Sequence, residues 1–399
     1  MAETSKLQVA IVGAGIAGLG AAIALKNHPA VDVQVYERAS ELREIGASIA
    51  LGPNGMRTLD RLGVDNALSP DVAFRNKSKH PMIYRAHLQQ ALAAHVDSSR
   101  IHLNKPFDTI TFDEEINKQI ITFSDGTTAT ADIILGADGI HSKVRTFFVP
   151  SSRTGWTGWV AFRSVFPISH LSHISSIPDE AEHIWGPDRT LFVSKLGKDL
   201  FTVVGSHQSD PNAPDAPYQD ASWDAAGDVN VLRDFYKDWH PRYRAIVDAT
   251  PWTSVYPNSA AHALDGWVLG DGRVTLAGDA AHAHGGAFAA GGSLALDDAW
   301  AFAESILHVF PPDAKSVPQS PAAEDIAKAL LIYERTRKAH TDRVMAVVHE
   351  QNAKKLERLG HPQTDEELRA RLQNRYDPSW IHEHDVQLAF AHALDSLAN

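Results

Sequence analysis

Three groups of small and acidic residues in this chain have the types and spacings needed to hold a phosphorylated ligand against backbone. The first is Gly13-x-Gly15-x-x-Gly18, with Glu37 placed 19 residues past the last glycine. Gly13 suits a tight turn, Gly15 lets backbone approach a pyrophosphate, Gly18 allows a helix to pack closely on a strand, and an acid at that distance accepts from ribose hydroxyls. The second group is Gly136-Ala-Asp138-Gly139, followed by His141, Ser142 and Arg145. The third begins at Gly278-Asp279-Ala-Ala-His282-Ala-His284 and runs through Gly285, Gly286, Gly291 and Gly292 into an alanine-rich helix expected to open near Ser293. A helix start offers unpaired N–H groups and a positive dipole end to an anion. Asp279, where a strand stops, could accept from a sugar hydroxyl.

Beside these stand side chains with chemistry of their own. Arg85, ahead of the helical run His87–Val96, reads either as a solvated charge or as a phosphate contact. Arg163 could pair with an anionic substrate or serve as a structural ion-pair partner. His284 could move a proton near neutral pH. The pairs His282-x-His284 and His382-x-His384 lack a third ligand at a useful spacing, so no metal site is expected. With no cysteine in the chain, disulfides and thiolate chemistry are excluded.

Elements able to position these residues can be read from the pattern. Val9–Val12 is a short apolar strand, the Ala- and Leu-rich stretch 19–27 a helix stopped at Pro29, and 31–36 a second strand ending at Glu37. Strand, glycine loop, helix, strand and terminal acid together make a βαβ dinucleotide site. An acid at that position disfavours a 2′-phosphate, so FAD or NAD is expected rather than NADP. The run 45–51, which includes Ala50, is small and apolar. Residues 131–135 form another buried strand. From 154 the chain alternates and is rich in tryptophan (156, 159, 185, 223, 239 and 252), which reads as an antiparallel sheet with one buried face. Laid over a bound ligand, such a sheet would roof an aromatic-lined pocket. A loop at 211–217, a Pro-rich loop at 311–321, a long helix at 323–359 carrying Arg335, Arg337, Lys338 and Arg343 on a basic face, and an aromatic helical tail from 378 complete the chain.

Length and charge narrow the class further. A chain of 399 residues suits more than one domain, and 37 basic against 49 acidic residues, a net charge of −12, argues against nucleic acid or an anionic membrane as partner. No apolar run approaches the roughly 18 residues of a membrane span. A cytoplasmic protein, monomeric or homodimeric, is the expectation.

Taken together, the fingerprint with Glu37, the Gly-Ala-Asp138-Gly139-x-x-Ser-x-x-Arg145 run and Gly278-Asp279-Ala-Ala-His282 resemble the single-component FAD-dependent aromatic hydroxylases. The resemblance is strongest to the salicylate hydroxylase type, within the group typified by p-hydroxybenzoate hydroxylase, and spans about residues 7–350. It implies an α/β fold: a Rossmann-like FAD-binding domain from 1–75, 82–153 and 265–350, a mixed or antiparallel substrate-binding sheet domain from 76–81 and 154–264, and a C-terminal helical tail, 351–399. It also implies FAD contacts from Gly13, Gly15, Gly18, Glu37, Ala50, Arg85, Asp138, Asp279, Gly291 and Gly292. NADH or NADPH would visit as a transient co-substrate, and O2 would be activated as a flavin C4a-hydroperoxide facing a small phenolic acid. Arg163 matches an arginine that related hydroxylases place in the substrate site; with His284, read from its position in the flavin loop, it is a candidate for orienting and deprotonating the phenol. The chain departs from the family at two places. A strand tyrosine is replaced by Ser194-Lys195, and the flavin-loop proline by Gly286.

Overall fold

The computed structural model describes residues 6–42, 48–75, 80–213, 225–312, 321–361 and 363–398. Parts of the expected 45–51 run, the 76–81 crossing, the 211–217 and 311–321 loops, and Trp223, lie outside the described residues.

β1 (Leu7–Val12), α1 (Ile16–Leu25) and β2 (Val31–Tyr36) form the opening βαβ unit. β3 (Ser48–Ala50), α2 (Pro53–Arg61), β4 (Ala73–Phe74), β5 (Met82–Tyr84) and α3 (Arg85–Ala93) follow, then β6 (Ile101–His102). Next come the meander β7 (Phe107–Asp113), β8 (Lys118–Phe123) and β9 (Thr128–Ala131), and β10 (Ile133–Gly136) with α4 (Lys143–Phe148). A run of β11 (Thr154–Pro167), β12 (Glu182–Trp185), β13 (Arg189–Leu196), β14 (Leu200–Gln208) and β15 (Ala225–Gly227) leads to α5 (Val229–Phe235), α6 (Pro241–Asp248) and β16 (Thr253–Ala261). The chain then returns through β17 (Val274–Leu276), the single turn α7 (Asp279–His282), α8 (Gly291–Val309) and α9 (Ala323–Leu356) to α10 (Asp365–Gln373), α11 (Ser379–His382) and α12 (Val386–Ala398).

Two sheets organise the molecule. The first is parallel, in the order β17-β10-β1-β2-β6, so segments from the start, middle and last third of the sequence lie side by side. Covered on both faces, its central strands β1 and β10 are almost wholly apolar and buried, as parallel sheets require. The three glycine-bearing loops all leave the C-terminal ends of adjacent strands β1, β10 and β17. The second sheet is antiparallel, β12-β13-β14-β11-β16-β15. Val160, Phe162, Val193, Val203 and Val255 on its outer face pack against Leu232, Tyr236 and Ile246 of α5 and α6. Its alternate residues point to the nucleotide side, where Val165 and Leu196 meet Ala50 and Met82. No helix of the described residues is long and apolar enough to cross a membrane.

Three expectations need correction. Arg337, assigned to a basic face, is 0% exposed, because it lies on the same stripe of α9 as the buried Ile326, Leu330, Tyr333, Thr341 and Val344. The helix expected from Ser293 begins at Gly291, which places both glycines in its first turn. The tryptophans do not roof a pocket as a group: Trp156 and Trp239 pack in the outer core and Trp252 is 41% exposed. Trp159 stands on the opposite face, four residues before Arg163 along β11.

Candidate active site

The fingerprint loop folds as its glycines dictate. Gly13 has φ 109°, and a Cβ there would lie 2.3 Å from the Ala137 carbonyl oxygen, so β1's exit loop rests directly on that of β10. A Cβ on Gly18 would lie 2.0 Å from the Gly13 carbonyl oxygen. Around Gly15 nothing stands within 4 Å, which leaves that side of the loop open to a ligand. Glu37 braces the loop: its carboxylate accepts from the Ala14 N–H at 2.8 Å and the Ala39 N–H at 2.9 Å. Gln89 of α3, not singled out by sequence, donates to the Ala14 carbonyl at 2.9 Å.

The second loop is tied to the third. Asp138 accepts from the Ser142 hydroxyl at 2.5 Å and from the Lys143 and Val144 N–H groups, so its carboxylate caps the start of α4. Burial raises its pKa, and these hydrogen bonds oppose the rise. Arg145, buried, donates to the carbonyls of Asp279 and Ala280 at 3.2 and 2.9 Å and to that of Ile140, joining the two loops. The Asp279 carboxylate itself is half-buried and has no hydrogen-bond partner among the described residues, which leaves it free to accept from a bound hydroxyl.

Behind the third loop lies a charged core. Asp298 accepts from the Gly278 N–H at 2.7 Å, from His282 Nε2 at 2.6 Å and from Arg337 Nε at 2.8 Å, all of them buried. Its neighbour Asp297 accepts from Asn54 Nδ2 at 2.9 Å and the Thr58 hydroxyl at 2.7 Å. Gly278, with φ 60° and ψ −143°, occupies a conformation that only glycine adopts readily, and the Asp298 carboxylate holds it there.

The loop then passes under the second sheet. A Cβ on Gly286 would lie 3.4 Å from Arg163 Nη2, and one on Gly291 would lie 3.2 Å from His284 Cε1. Gly286 has φ 71°, a left-handed conformation that a proline could not adopt. Gly292 is required by packing: a Cβ there would meet Ile49 Cδ1 at 2.4 Å. A Cβ on Gly278 would lie 3.2 Å from Ala17 Cβ and 3.7 Å from Ala295 Cβ, so the third loop runs between the first turns of α1 and α8. Arg163 lies over the Tyr256 ring, 5.1 Å from its centroid, and no described carboxylate pairs with it. Burial is the largest influence on its charge and disfavours it; Tyr256 favours it and nearby Arg85 disfavours it. Arg85 heads α3 and so reaches the same region. Tyr256, missed from sequence, brings a phenol from β16 to the same sheet face as Ser194 of β13, whose hydroxyl donates to the Lys195 carbonyl. His284 is 2% exposed and both its ring nitrogens lack a protein partner; burial holds its imidazole below the usual histidine range, against the pull of Asp279. Among the described residues no group of histidines and acids could hold a metal ion.

Open backbone at Gly15, an acid at Asp279 with no hydrogen-bond partner among the described residues and a helix start at Gly291 are groups that a dinucleotide could use. Comparison with known proteins agrees. Residues 11–61 match the family described as an NAD(P)-binding Rossmann-like domain. The chain is 27% identical over 377 residues to 6-hydroxynicotinate 3-monooxygenase of Bordetella bronchiseptica, covering 86% of this chain and 91% of that one. It is 26% identical over 435 residues to salicylate hydroxylase of Pseudomonas putida, covering 98% and 95%. These likenesses support an FAD-dependent aromatic hydroxylase. Solved structures share its fold. A salicylate hydroxylase substrate complex superposes with TM-score 0.73 at 22% identity, covering 98% of each chain. Klebsiella pneumoniae HpxO complexed with FAD and uric acid gives 0.71 at 20%, covering 98% and 97%. The protein is a flavoprotein monooxygenase that binds FAD.

Proposed function

We propose that this monooxygenase hydroxylates a phenolic aromatic acid of the salicylate or hydroxynicotinate kind, with NADH or NADPH as the electron donor. Decarboxylation accompanies hydroxylation when the carbon attacked is the one bearing the carboxyl group. The observation that carries the reading is Arg163: a cation paired with no acid among the described residues, on the inner face of the sheet, against the loop that carries Gly286. The names of the relatives, which act on hydroxylated aromatic acids, support the same substrate class.

Bound FAD supplies the hydride acceptor and the oxygen-activating chemistry. Gly13, Gly15 and Gly18 bring backbone to its pyrophosphate, Glu37 fixes that loop beside the ribose, and Asp279 accepts from a hydroxyl of the linker. Gly291 and Gly292 present the first N–H groups of α8 to the ring system, Ala50 of β3 borders it, and Arg85 offers a donor from α3. Asp138 works at one remove by fixing the start of α4. Arg163 orients the anionic substrate, and the low basicity of the buried His284 keeps a neutral imidazole behind the loop as a proton acceptor. A sheet packed over the loop excludes water from the reacting face.

Aerobic turnover with 18O2 and a panel of aromatic acids is the test. One labelled oxygen in the product, together with substrate-accelerated NAD(P)H oxidation, is expected; unlabelled product with stoichiometric hydrogen peroxide would mark a flavin dehydrogenase or oxidase instead. Replacing Arg163 with methionine keeps the volume and removes the charge. The expected outcome is an unchanged FAD content, a KM for the aromatic acid raised roughly 10- to 100-fold, the scale of one lost charged hydrogen bond, and NAD(P)H oxidation that no longer yields hydroxylated product.

A further inference from the structure

We propose that Lys355, Trp159 and Gln208 form a second anion site at the outer end of the inner sheet face, and that it takes the carboxylate of the aromatic substrate. The inference rests on reading this face as the wall of the substrate site. Trp159 and Gln208 are directly paired residues on β11 and β14. They share the inner face with Ala161, Ser206 and Tyr256, and with Arg163 beyond. Ala161 and Ser206 are small, so their own side chains add little bulk between the two polar ends of the face. Four residues of strand separate Trp159 from Arg163, about 13 Å between backbones at a rise of ~3.3 Å per residue. Less the reach of two long cationic side chains, that span suits a single ring bearing a carboxylate.

The outer end gathers three donors, and one buried acceptor without a partner, Asn258 Oδ1, lies on β16 opposite the bulge that carries Trp159. Lys355 Nζ, from the last turn of α9, lies 5.0 Å from the centre of the Trp159 ring. It pairs with no carboxylate among the described residues, although acids outnumber bases in the chain. The Trp159 indole N–H is buried without a partner. The side-chain amide nitrogen of Gln208, a residue 5% exposed, is buried without one too. A buried donor left unsatisfied is destabilising, because it loses its hydrogen bond to water without gaining another. Lysine at a helix C-terminus interacts favourably with the last carbonyls, but that accounts for neither the indole nor the amide. Burial, with Arg358 and Arg371 nearby, pushes the Lys355 ammonium down to about 8, and a carboxylate arriving here would relieve all three groups at once.

The test labels the FAD-loaded protein with an amine-directed reagent and follows Lys355 by peptide mass. Salicylate and 6-hydroxynicotinate are the probes, phenol and 2-hydroxypyridine their carboxylate-free controls, and NADH a third arm. The expected result is that the two acids slow labelling of Lys355 by roughly tenfold or more while the controls and NADH do not. Protection by NADH alone would assign the site to the phosphates of the reductant, equal protection by the neutral rings would reduce it to steric cover, and no protection would leave the cation without a ligand. Each of these overturns the proposal. Because the readout is occupancy and not turnover, it stands or falls separately from the 18O2 experiment. Lys355→Met is expected to weaken binding of both acids and not of the neutral rings, and Lys355→Arg to retain it.

Discussion

Gly18→Ala is expected to yield a protein that neither holds FAD nor folds to full stability. The new methyl would sit 2.0 Å from the Gly13 carbonyl oxygen, a backbone atom that cannot swing aside. Gly13 is itself pinned, its missing side chain facing the Ala137 carbonyl at 2.3 Å. Relief therefore requires α1 to move off β1, and α1 is buried along nearly its whole length. Overpacking of this kind costs about 1–3 kcal/mol or more in a well-packed interior. Gly15→Ala is the informative contrast. Gly15 has φ −77°, which any residue can adopt, and its methyl would meet no protein atom within 4 Å. That variant should melt like the parent when stripped of FAD and yet bind FAD more weakly, because the space it fills is reserved for the ligand. Visible flavin absorbance after gel filtration, together with apoprotein melting temperature, separates the cases. If Gly15→Ala retained FAD as tightly as the parent, the pyrophosphate would have to lie elsewhere.

The ease with which that loop could be read from sequence has a physical cause. Its strand, turn, helix and acid are contiguous, and each glycine answers to a neighbour within a few residues or to the ligand. The antiparallel sheet was legible for a similar reason, since alternation along β11, β13 and β14 follows directly from one face being buried. Contacts that close over long sequence separations left weaker marks. Arg145 joins two loops through backbone carbonyls, which carry no sequence signal at all. Tyr256 reaches the site from a strand nearly a hundred residues past Arg163 in the chain. Arg337 did leave a signal: it falls in step with Leu330, Tyr333, Thr341 and Val344 along α9. Neighbouring Arg335, Lys338 and Arg343 masked it, because a helix with cations on several faces reads as solvated unless each is placed on the apolar stripe.

That buried arginine underlies the second large effect. Asp298→Asn is expected to destabilise the protein by about 3–5 kcal/mol, the scale for breaking a buried ion pair from one side. The substitution leaves Arg337 charged at 0% exposure, with Asp297, 4.0 Å away, as its remaining acid. Asp297 is a poor substitute, because burial raises its pKa. The pH dependence follows from Asp298 itself. Burial alone would raise its carboxyl, but His282 and Arg337 outweigh that and hold it at about 2. A folded pKa below the unfolded value of ~3.9 means stability that is fully present above that value and lost as pH falls toward 2, on the order of 2 kcal/mol from this group. Denaturant melts of the parent between pH 5 and 2 should therefore show a slope that the asparagine variant lacks. Since the same carboxylate fixes the Gly278 N–H and His282, the variant should also release FAD more readily at neutral pH. Parallel slopes in parent and variant would remove Asp298 as the source of the acid sensitivity, and unchanged stability at pH 7 would mean that Arg337 finds its counter-charge elsewhere.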